Sequence, residues 1–300
     1  MVSVVINTLN EEKNIERCLS SVAWADEIVV VDMESTDKTR SLAQKFTDKI
    51  YSHPLTGFVE PARNFAVKKA NNDWILILDA DEVIPGRLAQ TLKILSEKGE
   101  YDFFRIPRKN IIFNRWILHG GWWPDYQIRF FKKGKVTWDR KIHGVPLTRG
   151  RGLDLIAEEE NAIIHYNYSS IGQFVERLNR YTEVEVQQLV SEGYKFLWPD
   201  LFAKPTGEFS SRFFLREGYK DGLHGLALSL LQAFSFFVTY LKVWEKEGFW
   251  QAEEKNLLDA VKKEFKLIGQ QFNFWYFREK EKNVNIFQKI IYKIYKRMGK

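Results

Sequence analysis

Trp74-Ile-Leu-Ile-Leu-Asp-Ala-Asp-Glu82 is the stretch of sequence that decides the fold. A short apolar run that ends in polar residues is typical of a buried parallel strand. Carboxylates at the C-terminal end of such a strand lie where ligands bind in open α/β sheets, in the crevice beyond the strand ends. Asp79 and Asp81 are two residues apart, so an extended strand directs both side chains to the same face.

Two neighbouring carboxylates repel each other unless a proton or a cation lies between them. A Mg²⁺ or Mn²⁺ ion, bound by one or two carboxylates and by substrate phosphates, meets this requirement. A strand-to-helix turn with helix-capping aspartates is the alternative that the D-x-D pattern by itself leaves open. The choice between the two depends on the rest of the chain.

Two earlier strands are predicted, and both end in polar residues. The strand from Val2 to Thr8 leads to Asn10, where a helix is expected to begin, and the strand from Glu27 to Val31 leads to Asp32. Helical segments alternate with the strands over about 100 residues, which predicts an α/β fold with a mostly parallel sheet flanked by helices. Because parallel strands end on one rim, the three polar clusters are expected to converge on one ligand.

Composition narrows the class of protein. Of the 300 residues, 45% are hydrophobic and 28% are charged, as in ordinary globular proteins. The single cysteine, Cys18, excludes an internal disulfide, and the N-terminus lacks the pattern of a secretory signal, so a cytoplasmic protein is expected. Neither G-x-G-x-x-G after the first strand nor a P-loop motif occurs, which disfavours dinucleotide dehydrogenases and P-loop nucleotidases.

The motifs together resemble those of family 2 inverting glycosyltransferases with a GT-A fold. In chain order they are Val4-Val-Ile-Asn-Thr-Leu-Asn-Glu-Glu12, Val30-Val-Asp-Met-Glu-Ser-Thr-Asp37, Ala62-Arg-Asn64 and Leu78-Asp-Ala-Asp-Glu82. The stretch from Asn110 through Gly120 to Phe131 is similar to the branch that contains lipopolysaccharide core β-1,4-glucosyltransferases. The resemblance implies metal-dependent transfer of a hexose, glucose above all, from a UDP-sugar to a glycan or glycolipid acceptor.

The resemblance also implies roles for individual residues. The matching positions are Thr8, Asn10, Glu11 and Asp32 for the nucleoside, Arg63 for the base or diphosphate, Asp79 for the ribose and the metal, Asp81 as the more direct ligand of Mg²⁺ or Mn²⁺, and Arg129 for the diphosphate. For Arg63, a surface helix cation is the alternative. Arg129 could instead fix the catalytic base or face solvent.

Inversion in one displacement needs a carboxylate that removes the proton of the acceptor hydroxyl. Asp125 is the predicted base, because Trp122, Trp123 and Tyr126 could desolvate it, raise its pKa and offer a platform for sugar rings. A turn aspartate after a proline is the alternative.

His143 is predicted to complete the metal site, or else to be structural. The branch usually has Glu after this histidine, but Gly144 follows here, so Asp139 and Glu82 stay open as alternative bases. The other histidines of this region, His119 and His165, are interpreted as structural.

The C-terminal third is predicted to be helical, which divides the chain into a catalytic domain (1–165) and a helical region (166–300). The apolar run from Leu226 to Leu241 has 16 residues, fewer than the ~20 that span a bilayer, and is interpreted as amphipathic. It could dock on the catalytic domain, mediate homo-oligomerisation or lie in a lipid interface.

Basic residues are concentrated at the C-terminus. From Lys262 to Lys300 there are 11 Lys and Arg against 3 Asp and Glu, a net charge of +8, whereas the whole chain carries +6. The predicted helix from Ile286 to Met298 places lysines beside an apolar face, which is typical of helices at an anionic membrane surface. We therefore expect a peripheral protein on the inner face of the cell membrane. A helix packed on the protein, with a solvated charged face, is the alternative.

Two other classes of protein share some of these sequence features. A non-catalytic protein that binds nucleotide-sugars or glycolipids would use the same scaffold without the base. A nucleic-acid-binding protein is suggested only by the pI near 9.1 and the basic tail. It would not explain acidic residues at three strand ends, so no nucleic-acid partner is expected.

Overall fold

The computed structural model describes residues 1–55, 59–138, 146–251 and 256–282. By packing, the chain divides into two compact units. The first unit comprises residues 1–116 and 123–169, and the second comprises residues 117–122 and those from Ser170 onward. The domain boundary expected at residue 165 lies close to this division, but the short segment 117–122 belongs to the second unit.

The first unit is an α/β structure. Its strands are β1 (Val2–Thr8), β2 (Glu27–Asp32), β3 (Ile50–Ser52), β4 (Trp74–Asp79), β5 (Glu82–Val83), β6 (Phe103–Ile112), β7 (Arg115–Trp116), β8 (Asp125–Lys132), β9 (Val136–Thr137), β10 (Leu147–Thr148), β11 (Gly152–Asp154) and β12 (Ile163–Tyr166). Its helices are α1 (Ile15–Ser21), α2 (Thr39–Ala43), α3 (Glu60–Lys69) and α4 (Gly86–Lys98), with a 3₁₀ turn at Glu159–Asn161.

The main sheet has the strand order β3-β2-β1-β4-β8-β6-β12-β5, with β7 and β11 also paired to β6. The strands β3, β2, β1 and β4 are mutually parallel, whereas β8 is antiparallel to both of its neighbours. The last strand, β5, follows β4 closely in sequence although it lies at the far end of this order. The fold class predicted from the sequence is confirmed, and the mostly parallel half of the sheet supplies the common rim.

Each central strand is buried on both faces, which explains its continuous run of apolar residues. On β1, Val4 and Ile6 pack in one hydrophobic cluster with Leu19 of α1 and Leu88 of α4, and Val5 packs in a second cluster with residues of α3. Helices therefore cover both faces of the sheet. On β1, β2 and β4 the polar side chains lie at or next to the strand ends.

The second unit is helical. Its elements are α5 (Ile171–Ser191), α6 (Asp200–Ser210), a π turn at Ser211–Leu215, a 3₁₀ turn at Gly218–Asp221, α7 (Leu223–Lys246) and α8 (Leu257–Glu281). Ser170 caps α5 by accepting a hydrogen bond from the backbone N–H of Gln173. The predicted basic helix from Ile286 to Met298 lies outside the described residues.

Helix α7 corrects the interpretation of the apolar run. It has 24 residues rather than 16, and it is the one described helix that is long and apolar enough to cross a membrane, a property that core helices of soluble proteins share. Its hydroxyl residues Ser229 and Thr239 are buried, whereas Leu223, Leu230 and Phe234 are 77%, 53% and 48% exposed. The exposed side of α7 therefore carries large apolar side chains instead of the expected polar ones.

Candidate active site

The ends of β1, β2 and β4 meet on one rim of the first unit. The parallel register places Thr8 beside Asp32 and Asn7 beside Asp79. Asn7, Thr8 and Asp32 are almost completely buried. Both amide atoms of Asn7, the hydroxyl of Thr8 and Oδ1 of Asp32 have no hydrogen-bond partner among the described residues. Buried polar atoms without partners are rare in folded proteins and indicate a ligand or water.

The loops that follow β1 and β2 are bound to each other at this rim. The backbone N–H of Asn10 donates to the hydroxyl of Ser35 (2.9 Å), and Asn10 Oδ1 accepts from the backbone N–H of Thr36 (2.8 Å). Glu11 accepts a hydrogen bond from the side chain of Asn14 (2.7 Å). Asn10 was expected at the start of a helix, but α1 begins at Ile15. Asn10 therefore holds the two loops together, and the side chain of Glu11 binds Asn14 within the first loop.

Asp79 is bound by two arginines. Nη2 of Arg63 lies 2.8 and 3.0 Å from its two carboxylate oxygens, and Nη2 of Arg129 lies 2.5 Å from Oδ2. Burial by itself would raise the pKa of Asp79, but the charges of Arg129 and Arg63 hold it well below its usual value. Asp79 is thus an ionised anchor for two cations, which differs from the expected role as a ligand of the ribose and the metal.

The ion pairs continue beyond Asp79 in alternating sign. Arg129 also donates to Glu82 (2.6 Å), and Nη1 of Arg108 lies 3.3 Å from the same carboxylate. Arg108 in turn binds Asp125 through Nε (2.9 Å) and Nη2 (2.6 Å). We call this series, Arg63–Asp79–Arg129–Glu82–Arg108–Asp125, the charge chain.

The contacts of the charge chain argue against two alternatives, the other roles considered for Arg129 and the role of Glu82 as the base. Arg129 is 3% exposed and binds Asp79 and Glu82, so it neither faces solvent nor contacts Asp125. Glu82 is completely buried and also accepts the backbone N–H of Asp79, which leaves it inaccessible as a base. Asp139, the other alternative base, lies outside the described residues.

The pKa of Asp125 was expected to be raised, but in the structure it is lowered. Burial would raise its pKa, but the charge of Arg108 and hydrogen bonds from Asn110 and Gln127 lower it overall. The expected aromatic surroundings are also different, because Tyr126 lies on the other face of β8 and donates its hydroxyl to the backbone carbonyl of Leu155. Asp125 is therefore ionised at neutral pH because of a cation beside it.

The rings of Trp122 and Trp123 also have their own partners. Trp123 packs edge-on against Trp116, with ring centroids 5.2 Å apart, in the first unit. Trp122 lies below the guanidinium of Arg212, 5.4 Å from the ring centroid, in the second unit.

Asp81 lies beside a histidine that was interpreted as structural. Oδ2 of Asp81 is 3.6 Å from Nε2 of His165, and both side chains are mostly buried. Nδ1 of His165 lies 2.6 Å from Oδ1 of Asn110, whose Nδ2 faces Asp125. Because the amide oxygen can only accept, Nδ1 donates to it, and Nε2 faces the carboxylate of Asp81.

This pair is compatible with a cation. Carboxylate and imidazole both bind Mn²⁺, and Oδ2 of Asp81 and Nε2 of His165 are 3.6 Å apart, close enough for one ion to contact both. Within the described parts of the chain, no three His, Cys, Asp or Glu side chains cluster as a metal site, so further ligands must come from elsewhere. His143, which was expected to complete the site, lies outside the described residues.

His119, which was interpreted as structural, is bound to a buried aspartate. Its backbone N–H donates to Oδ2 of the buried Asp221 (2.7 Å), and its Nδ1 lies 3.1 Å from Oδ1 of the same residue, all within the second unit.

Sequence reasoning missed Arg108 and Asn110. They alternate on β6 and therefore share a face, and the antiparallel register places Arg108 directly opposite Asp125. A polar side chain at every second position of a strand is a signal for such a face, but the pairing of β6 with β8 cannot be derived from the pattern alone.

Several known proteins are similar to this chain. The model of the family "Glycosyl transferase family 2" matches residues 3–149. An "uncharacterized glycosyltransferase" of Rickettsia bellii is 29% identical over 254 residues, which cover 81% of this chain and 86% of the relative. The lipopolysaccharide core biosynthesis glycosyltransferase LpsC of Rhizobium meliloti is 24% identical over 261 residues, covering 82% and 93%. Among solved structures, S. aureus TarS 1–349 in complex with UDP aligns with a TM-score of 0.44 at 17% identity, covering 80% of this chain and 91% of that chain.

Proposed function

Because the chain belongs to glycosyl transferase family 2 through residues 3–149, we propose that it transfers a hexose, glucose above all, from a UDP-sugar to a glycan or glycolipid. One observation carries the donor assignment. Asn7, Thr8 and Asp32 offer buried donor and acceptor atoms without partners, among the described residues, at adjacent strand ends. Such atoms destabilise the protein until a ligand satisfies them, and a nucleoside offers matching groups.

The base is proposed to be uracil. Oδ2 of Asp32 accepts the backbone N–H of Ser35 at 3.3 Å, which leaves Oδ1 for one further donor. Uracil has a single N–H that pairs with a carboxylate, whereas cytosine has an acceptor at the same ring position. Asn7 adds both an amide donor and an amide acceptor beside it.

The diphosphate is proposed to lie between the arginines and a divalent ion. Nε of Arg63 and Nε of Arg129 have no partner among the described residues, so both can donate to phosphate oxygens. Asp81 and His165 are the proposed protein ligands of Mg²⁺ or Mn²⁺. When bound, the ion stabilises the negative charge that develops on the departing diphosphate.

Asp125 is the proposed base of an inverting single displacement. It is partly exposed, with 23% of its side chain accessible, and it is ionised at neutral pH. A carboxylate in this state can take the proton of the acceptor hydroxyl as that oxygen attacks the anomeric carbon.

The acceptor is proposed to be a glycolipid of the lipopolysaccharide core type. The similarity to LpsC supports this class over most of the chain.

UDP release from UDP-glucose, measured with and without Mn²⁺ in the presence of a core-type acceptor, tests the reaction. We expect metal-dependent turnover that Asp81→Ala abolishes, and tighter binding of UDP than of CDP. Metal-independent turnover that Asp81→Ala leaves unchanged would contradict the proposal. Full activity of Asp125→Asn would show that another group is the base, and an absence of turnover with retained nucleotide binding would favour a non-catalytic binding protein.

We also propose that the protein works at the inner surface of a membrane. The described part of α8 has no buried residue, and Leu258 and Phe265 are 79% and 61% exposed. Residues 283–300 follow α8 in the sequence and contain five Lys and Arg but no Asp or Glu. Exposed apolar side chains beside a cationic segment suit an anionic lipid surface.

Vesicle co-sedimentation tests the membrane proposal. The wild type is expected to bind vesicles of phosphatidylglycerol and phosphatidylethanolamine but not pure phosphatidylcholine, and salt should weaken the binding. Substituting Gln for the cluster of Lys289, Lys293, Lys296 and Arg297 should remove the binding. The matched control substitutes Gln for the exposed lysines Lys13, Lys38, Lys68 and Lys98 of the first unit. Equal loss in both variants would contradict a specific role of the C-terminal segment.

A further inference from the structure

The two oxygens of the Asp125 carboxylate have different surroundings. Oδ2 accepts three hydrogen bonds, from Nε and Nη2 of Arg108 (2.9 and 2.6 Å) and from Nδ2 of Asn110 (3.1 Å). Oδ1 accepts one, from Nε2 of Gln127 (2.9 Å). A carboxylate oxygen that already accepts three bonds has little capacity left for a fourth. Oδ1 is therefore the oxygen that can receive a proton from a substrate.

Arg108 is held at both ends of its fork. Its Nε and Nη2 bind Asp125, and its Nη1 contacts Glu82 at 3.3 Å. Glu82 is completely buried and is fixed by Arg129 and by the backbone N–H of Asp79. Because the guanidinium of Arg108 is rigid and planar and is fixed by the buried Glu82, it holds the accessible carboxylate of Asp125 in a fixed position.

We propose that Arg108 is a positioning residue of the transfer reaction, which holds Oδ2 of Asp125 so that Oδ1 faces the acceptor hydroxyl. The inference rests on the proposed function, in which Asp125 is the base. In the step, the acceptor oxygen forms a bond to the anomeric carbon while the bond from that carbon to the diphosphate oxygen breaks. The bonding electrons leave with the diphosphate, and the hydroxyl proton passes to Oδ1.

The charges around Asp125 support an ionised base. The side chains that contact it are Arg108 and Asn110 from β6 and Gln127 from its own strand. Beyond them lie Glu82 on β5, which contacts Arg108, and His165 on β12, which contacts Asn110. Arg108 is the only cation in direct contact with Asp125 among the residues described, so its removal should raise the pKa of Asp125.

The experiment compares Arg108→Gln and Arg108→Lys with Arg105→Gln as the matched control. Arg105 lies on the same strand and binds Asp154 through the same two nitrogens, Nε and Nη2, both at 2.6 Å. We expect Arg108→Gln to lower kcat by about 10- to 100-fold, with KM for the donor changed by less than about threefold. The acid limb of kcat/KM should move up by about one pH unit.

Arg108→Lys separates charge from geometry. Lysine keeps the positive charge but not the planar fork, so the acid limb should stay close to that of the wild type while kcat falls by about tenfold. Arg105→Gln should leave kcat, KM and the pH profile unchanged. Thermal denaturation of each variant establishes that it is folded. If Arg108→Gln does not fold, the kcat of Arg108→Lys tests the positioning role.

Two results would overturn the inference. One is an Arg108→Gln enzyme whose kcat and acid limb match those of Arg105→Gln, and the other is wild-type kcat in Arg108→Lys. Failure of the proposed function is distinguishable, because Asp125→Asn would then be active. An inactive Asp125→Asn together with unaltered Arg108 variants rejects the positioning role alone.

Discussion

The rim and the charge chain lie close together but satisfy their polar groups in opposite ways. At the rim, Asn7, Thr8 and Asp32 are buried with atoms that have no partner among the residues described. In the charge chain, three arginines and three carboxylates alternate, and every carboxylate binds at least one guanidinium.

This difference indicates that the rim mainly binds the ligand, whereas the charge chain mainly holds the site in place. Unpartnered polar atoms are tolerated where a ligand satisfies them, so the rim is suited to read the donor. Most charges of the charge chain are already paired, so they mainly hold their neighbours in fixed positions. In the proposed function, Nε of Arg63 and Nε of Arg129 still donate to the diphosphate, and Oδ1 of Asp125 still takes a proton. Substitutions in the two regions should therefore have opposite consequences for stability and for binding.

The largest effect is expected on stability in the charge chain. Arg129→Met removes a buried cation between Asp79 and Glu82. The fully buried Glu82 then keeps the backbone N–H of Asp79 and, as a charged partner, only the longer contact to Arg108 among the residues described. We expect unfolding to become easier by about 3–5 kcal/mol. Urea denaturation measures this, and Arg105→Met is the control, because its ion pair with Asp154 is about half exposed and should contribute less than about 1 kcal/mol. If Arg129→Met and Arg105→Met destabilise the protein equally, the charge chain contributes no more to stability than the exposed Arg105–Asp154 ion pair, and the prediction is wrong.

An intermediate effect is expected on binding at the rim. Asp32→Asn replaces a buried acceptor by an amide that offers the base a donor or a weaker, neutral acceptor, so UDP affinity should fall about 10- to 100-fold. Stability should be unchanged or higher, since Oδ1 of Asp32 has no described partner to lose. Isothermal titration calorimetry and urea denaturation give the two values. The control is Asp48→Asn, an exposed aspartate before β3. If the Asp32→Asn variant is less stable but binds UDP normally, Asp32 stabilises the fold and does not bind the nucleotide.

The smallest effect is expected at the opposite end of β2, which begins with Glu27 and ends with Asp32. Burial would raise the pKa of Glu27, but the backbone N–H of Asn71, Lys49 and Ser3 bring it from an ordinary 4.5 to about 2. A carboxyl with a lowered pKa stabilises the folded state above its unfolded pKa, and this contribution is lost as the pH falls from about 4.5 towards 2.

Denaturation at several pH values tests this assignment. Because Lys49 is about half exposed and therefore screened by solvent, we expect a loss of only about 1–2 kcal/mol across this pH window. Glu27→Gln should flatten the dependence in the window. Asp32→Asn should keep the pH dependence of stability. A flat dependence in Asp32→Asn together with an unchanged dependence in Glu27→Gln would contradict the assignment to Glu27.

Much of the rim could be predicted from local sequence. An apolar run followed by polar residues identifies a buried strand and its end, and β1, β2 and β4 all begin and end within about one residue of the expected positions. Because those strands are parallel, the sequence was sufficient to place Thr8, Asp32 and Asp79 on one edge.

The contacts of the charge chain could not be predicted in the same way. Asp125 was expected to have a raised pKa because of its aromatic neighbours in sequence. In the fold, successive residues of β8 point to opposite faces, and Arg108 from another strand is its partner. Helix α7 shows the same limit, since Ser229 and Thr239 are buried whereas Leu223, Leu230 and Phe234 are exposed.

The sequence by itself determined the alternation of strands and helices, the strand ends and the type of chemistry available there, because these depend on side-chain periodicity along a short segment. Only the tertiary structure decided which charges are paired. The pairing of β8 with β6 and β4, and the position of β5 beside β12, bring Arg108, Arg129, Glu82 and Asp125 together from three different strands. At these short distances in a buried environment, the spatial neighbours of a carboxylate, rather than its neighbours in sequence, set its charge and its function.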